Sequence, residues 1–170
     1  MIKRPKVAVI MGSDSDLPVM SETAKILDKN RVAYELKILS AHRSPDDVAR
    51  FARLARAGGF KVIIAGAGGA AHLAGVIASH TTLPVIGVPM ETKELKGIDS
   101  LFSTVQMPSG VPVATVSIGK AGAKNAGILA LQILSLNDKA LEKRLASFKK
   151  ELVAGIRKKN AENRRFKTRP

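Results

Sequence analysis

His42 and Arg43 stand together after the largely apolar stretch Val32-Ala33-Tyr34-Glu35-Leu36-Lys37-Ile38-Leu39, one step before the helix-opening pair Ser44-Pro45. An imidazole with an unperturbed pKa of about 6.5 can gain or lose a proton near neutrality. A guanidinium is a permanent cation whose planar fork of donors fits a phosphate. The pair therefore suits proton transfer on an anionic substrate. A lone loop histidine can also be solvated or cap a helix, and position alone leaves both readings of His42 open.

Two further stretches have the composition of ligand-contacting loops. In Gly12-Ser13-Asp14-Ser15-Asp16 the small residues let the backbone approach a ligand, a following helix offers free N–H groups, and Ser13 and Ser15 add hydroxyl donors. That combination suits a monophosphate. An aspartate aimed at phosphate would repel it, so Asp16 is assigned to ribose hydroxyls, with an ordinary N-cap as its alternative. The loop lacks both a Walker motif and the spaced glycines of a dinucleotide fingerprint, which removes support for triphosphate or NAD binding. The second stretch, residues 65–75, runs Ala-Gly-Ala-Gly-Gly-Ala-Ala-His-Leu-Ala-Gly. Its lack of bulk requires something to lie against the backbone: a flat base, a small neutral molecule, or another part of the protein. His72 is read as a helix-start residue and His80 as a cap near a helix end. Three histidines without clustered carboxylates make a poor metal site, so no metal is expected. Met90 and Met107 are read as packing residues.

A parallel α/β sheet would bring these loops to one edge. Residues 7–11, 34–39, 62–65, 85–88 and 113–117 read as five strands, mostly apolar at consecutive positions, so both faces must be covered. Segments near 17–30, 45–58, 71–80, 97–105 and 120–135 have the length of crossover helices. The expected fold is a three-layer doubly wound sandwich, a five-stranded parallel sheet in flavodoxin-like order, with ligands beyond the strand C-termini. Ser44 as N-cap, Pro45 at the first helical position and Asp46-Asp47 define one helix start, which leaves His42 and Arg43 free for other work. An extra C-terminal helix, about 138–156 after Asn137 as N-cap, carries an apolar stripe of Leu141, Leu145, Phe148 and Leu152. The stripe could bury against a neighbouring subunit or its own domain.

The chain of 170 residues is long enough for one domain, read here as 1–156 with a basic, solvated tail at 157–170. It has no cysteine, so disulfide and thiolate chemistry are excluded. No apolar run approaches a bilayer span of about 20 residues, and a soluble, cytoplasmic protein is expected. The formal charge of +14 is uneven: residues 143–170 carry +9 and the first 142 only +5. With one Tyr, five Phe and no Trp, single-strand stacking platforms are scarce, and no nucleic-acid partner is expected.

Together, VAVIMGSDSDLPVM at 7–20, SAHRSP at 40–45, VIIAGAGGAAHLAGVIA at 62–78, LPVIGVP at 83–89, GIDSLFSTVQMPSGVPVATVSIGKAGAKNAG at 97–127 and LQIL at 131–134 resemble the class I N5-carboxyaminoimidazole ribonucleotide mutases of purine synthesis. The resemblance runs in order to about residue 150. It implies a flavodoxin-like homo-octamer that moves a carboxyl group from the exocyclic nitrogen of a ribonucleotide monophosphate to ring carbon C4, with no cofactor and no metal. It implies that Ser13, Asp16 and Arg43 bind the nucleotide, with Ser15 and Ser40 near the phosphate, and that His42 is the general acid/base. His72, Leu73 and the segment Ala67, Gly68, Gly69 and Ala70 to Ala71 would line the pocket for base and carboxyl group. Ala74 stands where the family usually has Pro, and Ser44 where it usually has Thr. The class II enzymes, which add free CO2 to aminoimidazole ribonucleotide, are the nearest alternative; a non-catalytic nucleotide-binding module is another.

Overall fold

A computed structural model describes residues 5–163. The described chain divides after Ile133 into two compact units. The first contains a five-stranded, all-parallel sheet in the order β2-β1-β3-β4-β5, built from β1 (Val7–Met11), β2 (Tyr34–Ile38), β3 (Val62–Ala67), β4 (Val85–Pro89) and β5 (Ala114–Thr115). This is the flavodoxin-like order expected from the sequence. The crossovers are α1 (Leu17–Lys29), α2 (Pro45–Ala55), α3 (Leu73–His80) and α4 (Ile98–Val105), followed by α5 (Gly119–Ser135). Every residue of β1 and β4 is buried, which explains their unbroken apolar sequence.

On one face Ala8, Ile10, Ile63, Ala65 and Val85 pack with Val48, Ala52 and Ala55 of α2 and Leu73, Ala74 and Ile77 of α3. On the other face α1 meets α5, where the buried Thr23 hydroxyl donates to the Ala123 carbonyl at 2.7 Å. Central β1 and β3 run in register, Met11 beside Gly66, so the loops after β1, β2 and β3 open on one edge.

Three expectations change. First, β3 continues through Gly66 to Ala67, where the sequence suggested a loop from Ala65. A Cβ on Gly66 would enter Met90 Cε and Met20 Sδ, so this glycine makes room for packing rather than for a ligand. Second, β5 is only two residues long. Pro112 has no N–H to offer a ladder, and beyond Thr115 the Val116 N–H reaches back to the Gly87 carbonyl at 3.0 Å. Third, the last helix, α6, runs Lys139–Asn163 rather than ending near 156. Its start is capped by Asp138, whose carboxylate accepts the Leu141 N–H at 3.0 Å, rather than by Asn137. Along its apolar stripe exposure rises from 1% at Leu141 to 49% at Leu152. Residues 157–163, read from sequence as tail, are exposed helix; the remainder of that tail lies outside the described residues. No helix among the described residues is long and apolar enough to cross a membrane.

Candidate active site

At the C-terminal edge of the sheet a cleft of about 490 Å³ is lined by the three loops singled out above. Ser13, Ser15, Asp16, Ser40, His42, Arg43, Ala67, Gly68, Ala70, His72 and Leu73 all line it. Gly69 does not. It lies directly behind the wall, with φ +63°, a conformation that favours glycine.

The first loop forms a 3-10 turn, Asp14–Asp16, capped by Ser13, whose Oγ accepts the Ser15 N–H at 3.4 Å. The Ser13 hydroxyl donates to Asp14 Oδ1 at 3.0 Å, and this bond holds the Asp14 carboxyl below the ordinary carboxylate range. Asp16 occupies the N-cap position of α1 without a side-chain cap bond, and it lines the cleft. Burial pushes the Asp16 carboxyl upward, against hydrogen bonds from the Ser13 and Gly12 backbone and the Ser15 hydroxyl, and the charge of Asp14 adds to the rise.

In the second loop Ser44 stands at the N-cap of α2 without capping it. Its Oγ instead accepts the Ser40 N–H at 3.1 Å and donates to the Ser40 carbonyl at 3.2 Å. The hydroxyl expected to cap the helix therefore closes the loop that bears His42. Arg43 crosses to the first loop, where Nη2 donates to the Gly12 carbonyl at 2.9 Å and Nε to Ser40 Oγ at 3.4 Å. One guanidinium thus fixes two loops beside the serines suited to phosphate.

The third loop brings in His72, at the N-cap position of α3 with no cap bond of its own. Its Nδ1 lies 2.7 Å from His42 Nε2, and the two rings meet edge to face at 88°. This pairing, between residues thirty apart, is absent from the sequence reading. His80 is distant from it in the chain, at the last residue of α3. Among the described residues no group of three or more His, Cys, Asp or Glu could hold a metal ion.

Gly12 and Ala41, within the loops already singled out, line the cleft as well, and two further residues do so without having been foreseen as site residues: Met90 and Glu91. Glu91 adds an exposed carboxylate and Met90 a nearly buried apolar wall. Their position just after β4, at the ligand edge of a parallel sheet, was the available signal. The arrangement can grip an anion beside the serines and Arg43, accept hydroxyls at Asp16, move a proton at His42, and hold a small neutral group against Gly68 and Ala70.

Comparison with known proteins gives a consistent result. A family model described as AIR carboxylase matches residues 6–154. The N5-carboxyaminoimidazole ribonucleotide mutase of Bacillus subtilis is 61% identical over 142 residues, 84% of this chain and 88% of the relative. That of Pyrococcus abyssi is 56% identical over 148 residues, 87% of this chain and 84% of the relative. Among solved structures, Treponema denticola PurE superposes with a TM-score of 0.85 at 29% identity, covering 94% of this chain and 98% of the other.

Proposed function

The chain belongs to the AIR carboxylase family, and on that premise we propose that it acts as an N5-carboxyaminoimidazole ribonucleotide mutase in purine biosynthesis, with His42 moving the proton. The observation that supports this reading most is the convergence of an acid/base group, an anion grip and a side-chain-poor wall on one cleft. Ser13, Ser15, Ser40 and Arg43 hold the phosphate, and Asp16 accepts the ribose hydroxyls.

The substrate is a carbamate on nitrogen. Protonation of that nitrogen by His42 lets the N–C bond break, releasing CO2 and leaving the neutral aminoimidazole. The electron-rich ring carbon C4 then attacks the CO2 carbon, and His42 takes back the proton that leaves C4. Atoms and charge balance as an isomerisation, and the steps call for no further reactant. Positioned acid–base groups contribute about 10²- to 10⁴-fold. Proximity and exclusion of water must supply the rest, because CO2 carries no charge to hold. The wall of Ala67, Gly68, Ala70 and Leu73 meets that need.

The same reading makes the protein a cytosolic homo-oligomer, an octamer by the family resemblance. Support from the chain itself comes from α4, whose outer face leaves Ile98, Phe102 and Val105 about half exposed at helical spacing, with Leu95 beside them. A contiguous apolar face of this kind is commonly covered by a partner. Sedimentation velocity measures the oligomer number. The deciding test of function is to incubate the protein with N5-carboxyaminoimidazole ribonucleotide, without ATP or added bicarbonate, and follow the C4-carboxylated product. Rapid interconversion is expected. Product only from aminoimidazole ribonucleotide and high CO2 would assign the class II reaction, and nucleotide binding without turnover would reduce the protein to a binding module.

A further inference from the structure

The wall of the cleft contains almost no side chains that could fix it. Residues Gly68, Gly69 and Ala70 form a short turn between β3 and α3, and glycine-rich backbone is intrinsically permissive. Yet a trap for CO2 works only if its wall stays closed between the breaking of one bond and the making of the next.

The stiffening comes from behind, from α4. Ser100 is fully buried, and its Oγ accepts the Gly69 N–H at 2.9 Å. One turn on, the half-buried Ser103 donates its hydroxyl to the Gly69 carbonyl at 3.3 Å. Both polar ends of Gly69, the left-handed residue between the wall residues Gly68 and Ala70, are therefore held by a single helix. The same helix is tied to the loop after β4, which contributes Met90 and Glu91 to the cleft. There the Thr92 hydroxyl donates to Asp99 Oδ1 at 2.8 Å and accepts the Gly97 N–H at 3.0 Å. Since α4 turns Ser100, Ser103 and Thr104 inward and Ile98, Phe102 and Val105 outward, it forms a brace with one face on the site.

We propose that Ser100, with Ser103 as its partner, is a positioning residue that keeps CO2 in the cleft by clamping Gly69. Neither serine lines the cleft, so their effect passes through the backbone of the wall. The proposal rests on the mutase reading above.

The test is the fate of the carboxyl carbon. Full-length protein is given N5-carboxyaminoimidazole ribonucleotide with a labelled carboxyl group, in excess unlabelled bicarbonate, and two products are counted: labelled C4-carboxylated nucleotide, and label lost as CO2 with matching aminoimidazole ribonucleotide. Ser100→Ala is expected to raise the lost fraction about five- to tenfold, the effect of one hydrogen bond, with nucleotide affinity within about twofold. Ser103→Ala, at a position that tolerates truncation better, should raise it in the same direction, and Ser100→Thr, which restores the hydroxyl, should lower it again. A wild-type partition in folded Ser100→Ala, or in Ser103→Ala should Ser100→Ala not fold, would overturn the clamp even if kcat fell. Absence of conversion by the wild-type protein would instead overturn the mutase reading, and the clamp with it.

Discussion

His42 Nε2 and His72 Nδ1 are separated by 2.7 Å across the cleft, with ring centroids 4.9 Å apart. A hydrogen bond between two imidazole nitrogens requires one of them to carry a proton and the other to lack it. The contact joins the loop after β2 to the loop before α3 at the point where both line the cleft.

The pair makes the two histidine substitutions separable. His42→Asn should lower kcat by about 10²- to 10⁴-fold, since on the proposed reading it removes the group that moves the proton, and leave nucleotide affinity nearly unchanged. His72→Asn keeps the acid/base group but removes its partner. The expected outcome is a smaller loss of kcat, about 2- to 10-fold, the effect of one lost hydrogen bond. Wild-type turnover in His42→Asn would refute the proton shuttle, and wild-type turnover in His72→Asn would refute a role for the contact between the two rings.

On the proposed reading, Arg43 serves binding rather than proton transfer. It donates to the Gly12 carbonyl at 2.9 Å and to Ser40, and so joins two loops as well as facing the phosphate serines. Hydrogen bonds involving a charged group contribute about 1.5–3 kcal/mol, so Arg43→Ala should raise KM about 10- to 100-fold. Steady-state kinetics should show kcat reduced much less than KM is raised. A loss confined to kcat would place Arg43 in the chemistry instead.

The sequence displays what repeats locally and hides what is joined at a distance. β1 and β4 are legible because burial on both faces demands consecutive apolar residues. The three loops are legible because a parallel sheet brings them to one edge. Ser44 stands at the N-cap position that a serine before proline signals, but its hydroxyl bonds Ser40, another loop residue, rather than the helix. Gly66 and Gly68 look alike in a Gly-rich run, yet the first is filled against Met20 and Met90 and only the second faces the cleft. Ser100 and Ser103 gave no signal at all. Serines in an amphipathic helix read as solvated, and their bonds to Gly69 span more than thirty residues.

Two glycines should respond to the same substitution with opposite sign. Gly122, in the first turns of α5, stands where a Cβ would coincide with the Ser117 carbonyl oxygen, a backbone atom that cannot swing aside. Gly155, within α6, has nothing within 4 Å of that position. Overpacking costs about 1–3 kcal/mol and sometimes more, so Gly122→Ala should lower Tm by several degrees, at about 2–4 °C per kcal/mol. Gly155→Ala should stabilise the helix by about 0.5–1 kcal/mol, because alanine loses less backbone entropy. Thermal melts followed by circular dichroism measure both, and a neutral Gly122→Ala would contradict the path of the chain around Ser117.

Asp16 should make affinity and stability run in opposite directions with pH. Burial raises its carboxyl above the ordinary value of 3.8, so the folded protein holds the proton more tightly than the unfolded chain does. The stability linked to that proton is fully present below the unfolded value and is lost as pH rises through the raised native one. Ribose hydroxyls, by contrast, donate best to the ionised carboxylate, so nucleotide affinity should fall as pH drops through the same raised value. The decline should therefore begin at less acidic pH than an ordinary aspartate would give. Asp16→Asn cannot ionise. It should bind nucleotide more weakly near neutrality, lose the acid-dependent decline, and in the free protein melt higher than wild type above the native pKa. Calorimetric titrations with the nucleotide between about pH 4 and pH 7, paired with melting curves, read both quantities on one preparation. An acid decline that persists unchanged in Asp16→Asn would assign it to another group and remove Asp16 from the ribose.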